Sequence, residues 1–209
     1  MRRHFIAGAA ALLAAGLAPA KPAHAAEAAS TAPAKPGLTA GQRKYNSIFP
    51  VNTPRSVLDP LKAEEGVWDA EVELYVGPPE KQPIRKTGVQ TNRLVSRGNA
   101  IINDFRYTDG SYEGTGMWGW DAYHNRYSGS WIDGDTHLVR QDIGYYDPDT
   151  RIFRWEADTI QPDGVTTRMR IVQRFMGDKR RFQIDVMDAK TGDYRRLIVM
   201  YFTKRVEGR

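Results

Sequence analysis

The sequence predicts an all-β protein, a closed antiparallel up-and-down barrel of about ten strands behind a signal peptide and a flexible linker. Three observations carry that prediction. Turn-forming residues recur at an even spacing over residues 77–193. The runs between them have strand length, and the clearest alternates apolar and polar residues with period two. Residues 114–135 set three of the five tryptophans on two runs that face each other across one turn.

Residues 1–25 read as an export leader. Arg2 and Arg3 form a basic start, Phe5 to Leu17 is an alanine-rich apolar run, and Ala23-His24-Ala25 is a small-x-small cleavage site. The Arg2-Arg3-His4-Phe5-Ile6 string also resembles a twin-arginine signal, although Met1 stands where Ser or Thr is usual, so both export routes stay open. The expected destination is the bacterial periplasm. The apolar run is too short for a membrane span, so no transmembrane segment is expected.

Residues 26–55 form the second division. Up to about residue 41 the chain is Ala, Pro, Thr, Ser, Glu and Lys, the composition of a flexible linker. From residue 42 an arm carries Tyr45, Ile48, Phe49, Val51, Val57 and Leu58 between prolines, with one helical turn expected near residues 56–65. Such an arm either packs on the domain or plugs one barrel end.

The barrel domain is expected over residues 56–209. Trp68, Ala70, Val72, Leu74 and Val76 alternate with Asp69, Glu71, Glu73 and Tyr75, giving a first strand with one buried and one wet face. Turns follow at residues 77–79, 97–99, 109–110, 122–125, 133–135, 147–149, 161–164, 177–178 and 191–193, each with Gly, Pro, Asn or Asp. In the central hairpin, Trp118 and Trp120 share a face with Gly114 and Gly116, and Trp131 shares one with Tyr127 and Asp133. Connections this short allow only neighbouring antiparallel pairing, and closure removes the two edges of such a meander.

Several motifs together resemble a known family. Gly66-Val67-Trp68 is similar to the Gly-x-Trp signature of calycins, the superfamily of lipocalins and fatty-acid-binding proteins. That resemblance implies that the Trp closes one barrel end against a basic residue of the last strand, Lys204 or Arg205, by cation–π contact. With Gly114-Thr115-Gly116, Gly119-Trp120-Asp121, Tyr127, Trp131-Ile132-Asp133, Tyr146-Asp147 and the terminal Tyr-x-x-Lys-Arg, the chain resembles bacterial domain-of-unknown-function family fifteen seventy-nine. The resemblance spans about residues 58–205 and implies a calycin-like barrel, with no activity attached.

Composition narrows the chemistry. Without the leader's Arg2, Arg3 and Lys21, the 30 basic residues fall to 27 against 25 acidic ones, a net charge of +2, which argues against nucleic acid as a partner. There is no cysteine, so no disulfide supports the fold. His124 and His137 are the only histidines beyond the leader, too few for a His-rich zinc site, and no metal is expected. Nitrobindins, calycin-like barrels too, hold haem through a late histidine; none follows His137 here, and only a tyrosine could replace it. No cofactor is therefore expected.

No nucleophile motif is present. The Gly114-x-Gly116-x-x-Gly119 string lies within a strand run and opens no helix, so it is not read as a dinucleotide loop; its glycines let the sheet bend or let Trp118 and Trp131 pack across it. Polar candidates are Asp104 with Arg106, Arg140 with Asp142, and Arg168 with Arg170, each pair on one strand face. Trp118, Trp120, Trp131 and Trp155 either line an apolar pocket or form the core.

Three functions remain. The first is a periplasmic binding module that holds a small, largely apolar molecule against Trp118, Trp120, Trp131 and Tyr107, with Arg168 as a polar anchor. The second is a cofactor-independent lyase, isomerase or cyclase using His137 with Asp104 or Asp133. The third is a structural envelope protein whose barrel is filled by its own side chains.

Overall fold

The computed structural model describes residues 54–77, 81–136, 138–160 and 164–206. The expected leader and most of the linker lie outside the described residues. So does His137.

Ten strands are present among the described residues: β1 (Gly66–Leu74), β2 (Ile84–Val95), β3 (Ala100–Tyr107), β4 (Glu113–Asp121), β5 (Arg126–Asp133), β6 (Val139–Asp147), β7 (Ile152–Ile160), β8 (Thr166–Met176), β9 (Lys179–Met187) and β10 (Tyr194–Lys204). Each pairs antiparallel with its sequence neighbour, and β1 pairs with β10, so the sheet closes. Closure gives every ladder group a partner and leaves no edge strand.

The alternation seen in β1 now acquires a direction. Trp68, Ala70 and Val72 are buried and point inward, while Asp69 and Glu71 are exposed. Register carries this round the ring: Trp68 lies opposite Gln90, and Phe105 opposite both Gln90 and Gly114. One irregularity interrupts it, a bulge in β10 between Arg196 and Ile198; there the Leu197 carbonyl accepts a hydrogen bond from the Tyr75 amide at 2.8 Å.

A short helix, α1 (Asp59–Glu64), precedes β1 and follows a single 3-10 turn over Arg55–Leu58. Pro60 suits the first helical turn, where its missing N–H has no partner to lose. The helix closes the barrel end at which β1 begins. Leu61 is 1% exposed within the cluster of Ile101, Tyr127 and Phe153, and the Tyr127 hydroxyl donates to the Val57 carbonyl at 2.6 Å.

Candidate functional site

The plugged end is held by a buried polar network. Glu64 is 5% exposed, and its carboxylate accepts from Asn103 at 3.2 Å and from Gln173. It also pairs with Arg180 at 3.1 Å, and Arg180 donates to Gln90 as well. The Glu64 carbonyl accepts from Trp68 Nε1 at 2.8 Å and from Asn92 at 2.9 Å. Arg180 lies 4.9 Å from the Trp68 ring centroid and 4.1 Å from that of Phe202. Burial lowers its guanidinium pKa, and the Glu64 charge opposes that shift.

Trp68 does therefore meet a basic residue of the last strand, Lys204, at 5.4 Å from its ring centroid. Its nearer cation is Arg180, buried on β9 rather than on the last strand. Arg205 lies outside, paired with Asp69 at 2.6 Å, and holds that carboxyl below its ordinary pKa.

A different environment occupies the barrel at mid-height. Here Trp118, Gly129 and Trp131 point inward from β4 and β5, while Phe182, Ile198 and Met200 point inward from β9 and β10. In a ring of ten strands these two pairs are diametrically opposed. All six residues keep accessible surface although they face the inside of a closed wall. Such surface means that space of at least a water's size touches these groups, within the barrel or through its far rim, and we term the space they border the chamber.

Glycines make room for the aromatic side of this chamber. The rings of Trp118 and Trp131 lie over Gly116, where an added Cβ would come within 2.8 Å of Trp131; at Gly129 it would come within 2.6 Å of Trp118. With no Cβ in the way, the indoles lie nearly parallel at 6.0 Å and 29°. Trp155 meets Trp118 edge-on at 6.3 Å.

One ion pair faces this aromatic wall. Asp142 lies directly opposite Gly129, and Arg140 opposite Trp131. The Asp142 carboxylate is 2% exposed and accepts from Arg140 Nε at 2.6 Å and Nη2 at 2.9 Å, a bidentate fork, and from Trp118 Nε1 at 3.2 Å. The Arg140 side chain retains 16% exposure, and among the described residues its Nη1 has no hydrogen-bond partner.

At the rim away from the helix, Trp131 Nε1 donates to the Tyr112 hydroxyl at 3.2 Å, which donates to Asp133 at 3.1 Å. Tyr107 packs on Tyr112 at 5.3 Å between ring centroids. Burial first, then the charges of Asp109, Asp133 and Asp135, push the Tyr107 pKa up to about 12, and burial raises that of Tyr112 as well.

The expected site residues thus divide. Trp118 and Trp131 share the chamber, while Tyr107 and Asp133 stand at its rim. Trp120 lies towards the helix, edge-on to Tyr127 at 4.9 Å. Arg168 corrects the expectation of an interior anchor: β8 turns Thr167, Met169, Ile171, Gln173 and Phe175 inward, which leaves Arg168 on the outer wall near Glu156 and Asp158. Asp104 is also outside, accepting from Thr115 at 2.7 Å, and so is not brought together with Asp133. Arg140 and Asp142, expected to share one strand face, supply the polar pair of the chamber, whereas Phe182, Ile198 and Met200 were missed as site members.

Two further concavities lie on the outer wall, one around Thr91, Asp104, Arg106 and Glu113, the other around Asp69, Glu71, Lys179 and Tyr201. Neither is lined by a tryptophan, so the interior chamber is the better candidate. Among the described residues no cluster of His, Cys, Asp and Glu suits a metal ion, and no helix is long and apolar enough to cross a membrane.

The family model described as "Protein of unknown function (DUF1579)" matches residues 53–204. No curated protein matches the chain. A solved structure of a protein with unknown function from the DUF3598 family of Nostoc punctiforme is similar at 8% identity, covering 71% of this chain and 98% of that one with a TM-score of 0.23. A likeness at that score carries no argument.

Proposed function

From the premise that the chain belongs to the DUF1579 family, whose role is unknown, we propose that it is an exported binding protein whose barrel holds a small, largely apolar molecule. The molecule sits between Trp118 and Trp131 on one wall and Phe182, Ile198 and Met200 on the other. The observation that carries this reading is the accessible surface those inward-facing side chains retain at mid-height. An apolar space with one or two polar groups is the usual form of a small-molecule site. Export rests on the Arg2-Arg3 start, the apolar run and the Ala23-His24-Ala25 cleavage pattern.

A filled structural barrel is the second reading, and the tightly packed helix end favours it. Native mass spectrometry of the protein recovered from the cell envelope, before and after denaturation, separates the two. A mass lost on denaturation, and absent from a Met200→Trp variant that fills the chamber, is the expected result. A bare mass, with no uptake from an envelope extract, would transfer support to the filled barrel.

A further inference from the structure

We infer that the chamber selects neutral ligands that carry a hydrogen-bond acceptor, a ketone, ester or alcohol on an apolar or aromatic body, and discriminates against carboxylates and other anions. This rests on the binding reading above. It follows from how the one charged pair that borders the chamber among the described residues is arranged.

An arginine in an apolar barrel would ordinarily favour an anion. Arg140 does not stand alone. Asp142 holds two of its nitrogens at 2.6 and 2.9 Å, and Trp118 adds a third hydrogen bond to the same carboxylate. The pair presents no net charge. A ligand carboxylate placed against Arg140 would lie beside a buried Asp142 whose repulsion offsets much of the guanidinium's attraction. The anion would leave water for an apolar space with no surplus positive charge to compensate.

The remaining inward positions at this height offer nothing to alter that balance: Val72, Phe105, Trp155, Ala157, Met169, Ile171 and Ile184 are all uncharged. The other charged groups on inward-facing positions lie at the ends: Lys204 lies over Trp68 at the helix end, and Lys86 pairs with Asp109 at the far rim. Arg180 is committed to Glu64, and Asp133, at the rim, is itself negative. Arg140 Nη1 still has N–H bonds to donate, and a neutral oxygen accepts one without introducing a charge. The flat indoles of Trp118 and Trp131 suit a planar or alicyclic body.

A matched pair of probes tests this: 2-acetylnaphthalene, a neutral ketone, and 2-naphthoate, its carboxylate counterpart, titrated by calorimetry at neutral pH. The native protein should bind the ketone at least tenfold more tightly. Asp142→Asn leaves Arg140 unneutralised and should reverse the order, with naphthoate gaining tenfold or more. The double variant Arg140→Gln/Asp142→Asn, again neutral, should not gain naphthoate affinity. Circular dichroism checks that each variant is folded, and the preference of the native protein stands as a test without them. Naphthoate binding to the native protein as tightly as the ketone would overturn the inference and leave the binding reading intact. Failure of both probes to bind would overturn the two together.

Discussion

Replacing Glu64 by Gln removes one charge of a buried ion pair while keeping the side chain's size and its capacity to hydrogen-bond Asn103 and Gln173. Glu64 and Arg180 are 5% and 2% exposed and stand 3.1 Å apart. At an effective dielectric of about 20 that separation is worth about 5 kcal/mol of Coulomb energy. Arg180 would keep Gln90 and the faces of Trp68 and Phe202, which offset part of the loss. Leaving one member of such a pair buried and unpaired costs about 3–5 kcal/mol, which for a domain of this size lowers Tm by roughly 6–20 °C. Arg180→Met should cost a similar amount, because it strands Glu64 instead. The double variant should cost less than the sum of the single ones by at least about 2 kcal/mol. Urea unfolding followed by tryptophan fluorescence measures all three. Single losses that add to within about 0.5 kcal/mol would refute the coupling and with it the view that this pair pins α1 in place.

Trp68→Ala should destabilise the barrel by about 3–5 kcal/mol, since the residue is fully buried and its indole N–H is held by the Glu64 carbonyl; an unchanged urea midpoint would contradict its role at the plugged end. Gly144→Ala places a Cβ within 2.6 Å of the Trp155 ring, which is backed by Phe153 at 4.9 Å and has little room to retreat. The expected loss is about 1–3 kcal/mol with an altered near-ultraviolet dichroism. Stability should also fall in alkali. The unfolded chain releases the Tyr107 proton near 10.0 and the folded one near about 12, so the unfolded state binds fewer protons in that interval. Stability is therefore undiminished below pH 10 and declines above it, and phenolate absorbance should rise late and together with unfolding.

Most of the architecture was legible because turn chemistry is local. Gly, Pro, Asn and Asp marked all nine connections, and with connections so short the pairing order had no alternative. The glycine–tryptophan hairpin was legible too, since period two alone sets Trp118 beside Gly116. Arg168 shows a signal passed over: Met169, Ile171 and Phe175 already formed the apolar set of β8, and Arg168 belongs to the other face. In β6 the pattern misleads, because Val139, Ile143 and Tyr145 are outside while Arg140 and Asp142 are inside. Only the register with β5, which opposes Asp142 to Gly129, decides that face. The Glu64–Arg180 pair joins residues 116 positions apart, and no local rule could anticipate it.

The seam between β1 and β10 bears on how the chain reaches its native state during synthesis. The part of the barrel that emerges first, α1 with β1, has its partners among the last to appear: Gln173 on β8, Arg180 on β9 and the whole of β10. Until residue 204 is available, β1 can form a hairpin with β2 but has one unpaired side, and Glu64 lacks its counter-charge. Such a topology has a high contact order, and the entropy of joining its two ends is met only at the last step. The barrel can therefore close only after its final strand is made, and until then a growing chain carries β1 with one unpaired side.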